Sequence, residues 1–231
     1  MRALPGRESR SILEASPASV TRGNAHADQR RRILRAVGEL VGERGYGEVT
    51  VELIVKRAKV SFKTFYKHYS GKEECLLAFC ERSFSSTEAK VRERLDARPL
   101  PWPEQVALAL RTLVELIVAE PVLARAVIVE APTAGPAIAG RYERATEALV
   151  PLFRAGRDFN PRGAELPERI EDTLAGSVFW SAYQRLIVGE AAQLEASVPM
   201  LIELVLRTYL GQAEASRIAR AEVPDLQPAL A

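Results

Sequence analysis

From Asp28 onward, apolar residues return every three or four positions, the spacing of one face of an α-helix. Ile33, Val37, Leu40 and Val41 make the first stripe, and the glycines of "GERGYG" at 42–47 predict its end. Thr50 has the side chain to cap a second helix with Val51, Ile54, Val55 and Ala58 inward, and Ser61 can cap a third a few residues later. Two short helices joined by so tight a turn make a helix-turn-helix. Ser70 and Glu73 have capping-box spacing and open a long fourth helix with the stripe Leu77, Cys80, Phe84, Val91 and Leu95, which Pro99, Pro101 and Pro103 stop. Beyond them the pattern predicts helices at about Glu104–Ala119, Val122–Val129, Ala137–Arg157, Glu168–Gly189 and Val198–Leu210. No stretch alternates as a strand does and no period repeats. The chain therefore reads as all-α: a three-helix helix-turn-helix domain over residues 27–71, then a helical domain over 72–231. Residues 1–26 mix Pro, Gly, Ser and Arg without periodicity and are expected to form a mobile arm.

Charge changes this picture more than composition does. The net charge of the 231 residues is only +2, yet residues 1–80 hold 15 basic and 9 acidic side chains and the remainder is acidic in balance. The N-terminal part is thus suited to a polyanion. The excess is densest in "VELIVKRAKVSFKTFYKHYSGKE", where Lys56, Arg57, Lys59, Lys63, Lys67 and Lys72 follow one another with no acid between Glu52 and Glu73. These cations are centred on the turn and third helix of the helix-turn-helix, the element whose first residues enter the DNA major groove, and Thr64 and Tyr66 beside them are donors to phosphates and base edges.

Other chemistry is poorly supplied. His26 and His68 are the two histidines, too few for a histidine-rich metal site, and Cys75 and Cys80 have neither zinc spacing nor a disulfide framework, so no metal and no cofactor is expected. No phosphate loop, nucleophile elbow or paired-carboxylate motif occurs, which argues against an enzyme. Glu115 and Glu203 are expected to pair with Arg111 and Arg207 on solvated helix faces. Neither a secretory signal nor a membrane span is apparent, so the protein is expected to be cytoplasmic.

The segment from Ile33 to Leu76, and above all "VSFKTFYKHYSGKEE", resembles the DNA-binding domain of the TetR family of bacterial transcriptional regulators, with its V-S-x-x-T-hydrophobic-Y-x-H-aromatic-x-x-K-E pattern. The resemblance implies phosphate contacts from Thr50, Tyr66, His68 and Lys72 and base-edge contacts from Phe62, Lys63, Thr64 and Lys67, with Ser61 at the start of the same helix. Phe65 and Tyr69 match positions that pack inward. Lys59 stands where the family often has glycine, a turn position expected to need positive φ, and Val55 where it often has alanine.

An architectural DNA binder would not need so much further apolar helix. The resemblance implies its use: a C-terminal domain that dimerises and holds a small molecule, whose binding releases the homodimer from a near-palindromic double-stranded DNA operator. Such a protein is usually a repressor. The dimer is expected to form through the last two long helices, because "IEDTLAGSVFWSAYQRLIVG" is apolar nearly all round; a monomer burying both internally is the alternative. The candidate effector residues are Phe84, Trp102, Tyr142, Phe153, Phe179, Trp180, Tyr183 and Gln184, and the scarcity of candidate buried charges points to an uncharged or weakly polar hydrophobic effector.

Overall fold

The computed structural model describes residues 17–136, 138–140, 147–159, 163 and 165–221, with side chains from residue 26 onward. Among them there is no strand. Helix α1 spans Pro17–Arg44. It starts well before Asp28, so residues 17–26 of the expected arm are helical, whereas residues 1–16 lie outside the described part. Proline is favoured at a first helical position, and the polar run that follows Pro17 carries no apolar stripe for periodicity to detect. Gly45, at φ 85°, closes α1 with its N–H on the Val41 carbonyl at 2.9 Å.

Helices α2 (Val51–Ala58) and α3 (Phe62–His68) form as their caps dictate. The Leu53 N–H donates to Thr50 Oγ1 at 3.3 Å and the Thr64 N–H to Ser61 Oγ at 3.1 Å. Between them Lys59 adopts φ 52°, ψ 50°, while the Val60 N–H returns to the Val55 carbonyl. The left-handed turn expected at Lys59 is therefore present. Replacing Lys59 with glycine is expected to raise the free energy of unfolding by roughly 1 kcal/mol, the cost of that conformation to a side chain; chemical denaturation of the two chains measures it.

Helix α4 (Lys72–Asp96) buries Cys75, Leu76, Phe79 and Cys80. Its expected stripe is displaced: of those five residues Cys80 is core, while Phe84, Val91 and Leu95 border a cleft. The cap differs by one residue as well, because Glu74 rather than Glu73 accepts from the Ser70 N–H and hydroxyl, both at 2.6 Å. From α4 the chain continues through α5 (Trp102–Ala119) and α6 (Pro121–Arg125) into a π-helical turn at Ala126–Glu130. Short helices follow at Val150–Arg154 (α7) and Gly156–Phe159 (α8), where the sequence pattern predicts one long helix; part of that span lies outside the described residues. Then come α9 (Ile170–Ile187), α10 (Leu194–Leu210) and α11 (Gln212–Arg220). Helix α10 starts at Leu194, four residues before the predicted Val198, so Pro199 lies further inside it and removes one intrahelical hydrogen bond. Helix α11 has no counterpart in the sequence reading.

One core runs through the described residues, and α1 touches both ends of it, packing on α2, α3 and α4 on one side and on α6 and the π turn on the other. The approach is close. A Cβ at position 42 would stand 2.0 Å from the Val122 carbonyl oxygen, and one at position 38 would stand 2.4 Å from the Phe79 ring. Arg125, at the end of α6, reaches the last carbonyls of α9, donating to Leu186 and Ile187 at 3.2 Å each, and pairs with Glu130 at 3.0 Å.

The surface pairs expected from helical spacing are replaced by contacts between helices. Glu115 pairs with Arg94 of α4, while Arg111 donates to the Ala219 and Ala221 carbonyls and so caps α11. Glu203 accepts from Ser216 at 2.9 Å. A buried carboxylate also occurs: Glu171, 1% exposed, accepts from Arg157 Nε at 2.6 Å and from the Tyr209 hydroxyl at 3.2 Å. Burial pushes its pKa up, but the Arg157 hydrogen bonds, a backbone hydrogen bond, the Arg157 charge and the Tyr209 hydroxyl together outweigh this and hold it below the ordinary carboxylate value.

Candidate nucleic-acid interface and effector cleft

Of the seven residues of α3, Phe65 is buried. Phe62, Lys63, Tyr66 and Lys67 are exposed on the outer surface, with Thr64 half-buried and tied to Ser61 through their hydroxyls at 3.0 Å. Ser61, Thr50, Lys56 and Lys59 are exposed alongside. Seven of the nine residues expected to meet DNA are thus together on this outer surface. Arg57 is neutralised by Glu39 and Glu43 of α1 at 3.2 and 2.9 Å, contacts that raise its pKa. Lys56, Lys59, Lys63 and Lys67 have no ion-pair partner among the described residues, so the charge available to a polyanion is concentrated on the turn and α3.

His68 and Lys72 stand differently. Lys72 Nζ donates to the Tyr46 and Val49 carbonyls at 3.1 and 2.9 Å and lies 4.3 Å from the centre of the Tyr46 ring, which makes it a clamp on the loop that carries Thr50. His68 is half-buried with its ring edge against His26 of α1, 5.4 Å between centroids, and its buried Nε2 has no hydrogen-bond partner among the described residues. Burial first, then the neighbours His26, Arg30 and Lys67, lowers its pKa and leaves it neutral at pH 7. Sequence reasoning also missed two α1 residues: Arg30, which donates to the Tyr69 hydroxyl at 3.2 Å, and Arg32, which holds the Ala58 and Lys59 carbonyls at 3.0 and 3.3 Å. Spacing alone carries no signal for contacts across 26 to 39 residues.

Behind this surface a cleft of about 1300 Å³ opens between the second half of α4, α5, the π turn and α9. Its floor is apolar, with Leu113, Ile117, Val127 and Leu152 among its residues. Of the candidate effector residues, Phe84 and Phe179 line it. Trp102 and Phe153 do not: Phe153 is fully buried, and Trp102 donates to the Leu152 carbonyl at 2.7 Å and packs edge-on against Tyr209. Trp180, Tyr183 and Gln184 are also outside the cleft. Helix α9 turns Leu174, Val178 and Ala182 inward, leaving Trp180 58% exposed and stacked on Tyr183 at 5.3 Å. Tyr142 lies outside the described residues. Three cations at the cleft, Arg82, Lys90 and Arg98, have no ion-pair partner among the described residues, and Arg98 Nε is buried without a hydrogen-bond partner.

No cluster that could hold a metal occurs among the described residues. Both cysteines are buried, which pushes each thiol up to about 12 and keeps it from acting as a thiolate at pH 7. No described helix is long and apolar enough to cross a membrane.

Residues 33–79, which hold the whole helix-turn-helix, match the bacterial regulatory proteins of the tetR family. Over these residues the chain is similar to the TetR family. A relative, the HTH-type transcriptional repressor KstR of Rhodococcus jostii (strain RHA1), is 26% identical over 183 residues, 78% of this chain and 85% of KstR. The fold is shared with solved structures. The fatty acid degradation regulator FadR of Bacillus halodurans superposes with a TM-score of 0.68 at 19% identity, covering 76% of this chain and 97% of that one. FadR of Bacillus subtilis, solved in complex with stearoyl-CoA, gives 0.65 at 17% identity over 78% of this chain and 98% of its own.

Proposed function

We propose that the protein is a sequence-specific DNA-binding regulator, a repressor that leaves its operator when a hydrophobic effector fills the cleft, and that it is not an enzyme. The observation that carries this reading is the continuity of α4: its first residue, Lys72, clamps the loop that carries Thr50, its first turns pack on α1, against which α2 and α3 also rest, and its later turns wall the cleft. An occupant of the cleft therefore bears on the helix that supports the DNA surface. Thr50, Ser61, Phe62, Lys63, Thr64, Tyr66 and Lys67 meet the operator, with Lys72 and His68 bracing them from behind.

An operator with two half-sites requires two copies. The exposed apolar side chains Trp180, Ile187, Met200 and Leu204 on α9 and α10 supply a face for a homodimer.

Arg82, Lys90 and Arg98, which have no ion-pair partner among the described residues, favour an effector with an acidic end attached to its apolar body, in place of the uncharged compound expected from composition. Long-chain acyl-CoA thioesters are the first to test, given the stearoyl-CoA bound by Bacillus subtilis FadR. Selection from random duplexes, followed by fluorescence anisotropy on the selected operator, tests the reading. Stearoyl-CoA is expected to release the DNA, and Phe84→Ala to need about tenfold more of it, a change of ~1.4 kcal/mol, with effector-free operator affinity unchanged within about twofold. A flat selection removes the regulator reading. Release that Phe84→Ala leaves unaltered removes the cleft as the effector site.

A further inference from the structure

Phe62 opens α3 with 50% of its surface exposed, on a face otherwise made of lysines, hydroxyls and a tyrosine. Its surroundings do not explain it. Phe65, Tyr66, His68 and Tyr69 each contact another ring, whereas among the described residues Phe62 contacts none. A phenyl ring has no hydrogen-bonding atom, so it can satisfy neither a phosphate nor the polar edge of a base. The first turn of the second helix in a helix-turn-helix is the part that faces base edges, and the apolar feature of the major groove is the C5-methyl group of thymine.

We infer that Phe62 reads thymine, packing its exposed ring on a C5-methyl group in each operator half-site. The inference rests on the operator-binding reading above and deepens it. It divides the labour on α3 by chemistry. Lys63 and Lys67 supply charge, Thr64 is held by Ser61 as a hydrogen-bonding group, and Phe62 distinguishes thymine from the other bases by its one apolar substituent.

The test replaces each thymine of the selected operator, one at a time, with deoxyuridine, which keeps every hydrogen-bonding group and removes only the methyl. In each half-site one position is expected to weaken wild-type binding about fourfold, the ~0.8 kcal/mol that burying one such group is worth. Phe62→Ala is expected to bind the unmodified operator more weakly and to be indifferent to deoxyuridine there; because the side chain is surface-exposed, its thermal midpoint should match wild type. Phe62→Leu should restore part of the sensitivity. A flat deoxyuridine scan with wild type overturns the inference, as does a Phe62→Ala scan that keeps the same sensitive position; a ring that wedges between bases, or contacts another protein, would give the former. Failure to select any operator would instead count against the regulator reading itself.

Discussion

Phe65→Ala is expected to lower the free energy of unfolding by about 3–5 kcal/mol and to abolish operator binding. The ring is fully buried, lies against Tyr66 and Tyr69, and is the buried side chain through which α3 holds to the rest of the domain. Removing it leaves a cavity under a helix too short to be stable by itself. The cleft lies beyond the first turns of α4, so stearoyl-CoA should still raise the thermal midpoint of the variant. The control is Tyr66→Ala on the adjacent, exposed position, expected to change stability by less than about 0.5 kcal/mol. Operator affinity within threefold of wild type for Phe65→Ala would show that α3 is held by something other than this ring.

The second large effect is expected at Gly42. Exchanging glycine for valine inside a helix is ordinarily mild or favourable, since glycine is the poorer helix former. Here the added Cβ meets a backbone carbonyl, Val122 O, at 2.0 Å, and no rotamer change can move it away. Gly42→Val should therefore cost roughly 3 kcal/mol, as overpacking of a tight site does, and should part α6 from α1. Denaturant unfolding gives the first quantity. For the second, the variant is expected to bind operator while responding weakly to effector, because the cleft side is no longer seated on α1. A variant as stable and as responsive as wild type would mean that the two helices separate without consequence.

What could be read from sequence follows the range of the forces involved. The helix-turn-helix was legible because its determinants act within a few residues: Thr50 and Ser61 cap across three positions, and the turn at Lys59 is fixed by the helix end that precedes it. The polyanion surface was legible in outline for the same reason. Its details were not, because the partners that neutralise Arg57 and occupy Lys72 come from α1 and the loop after it. In the C-terminal part the limit was rotational. A helix apolar nearly all round, such as α9, gives no periodicity from which to tell the inward Phe179 from the outward Trp180. Glu171 carries no local signal of burial, since Arg157 and Tyr209, which bury it, come from different helices.

The close seat of α6 on α1 gives the molecule an uneven compliance. Where helices meet through side chains, a small displacement is taken up by rotamer changes and fades with distance. At Gly42 backbone rests on backbone, with no side chain to yield. Arg125 extends that stiffness by holding the end of α6 to the last carbonyls of α9, the helix that carries the exposed Trp180. A route with few yielding side chains therefore joins α1 to the face proposed for dimer contact, so a change at that face is expected to reset the spacing of two DNA-reading heads.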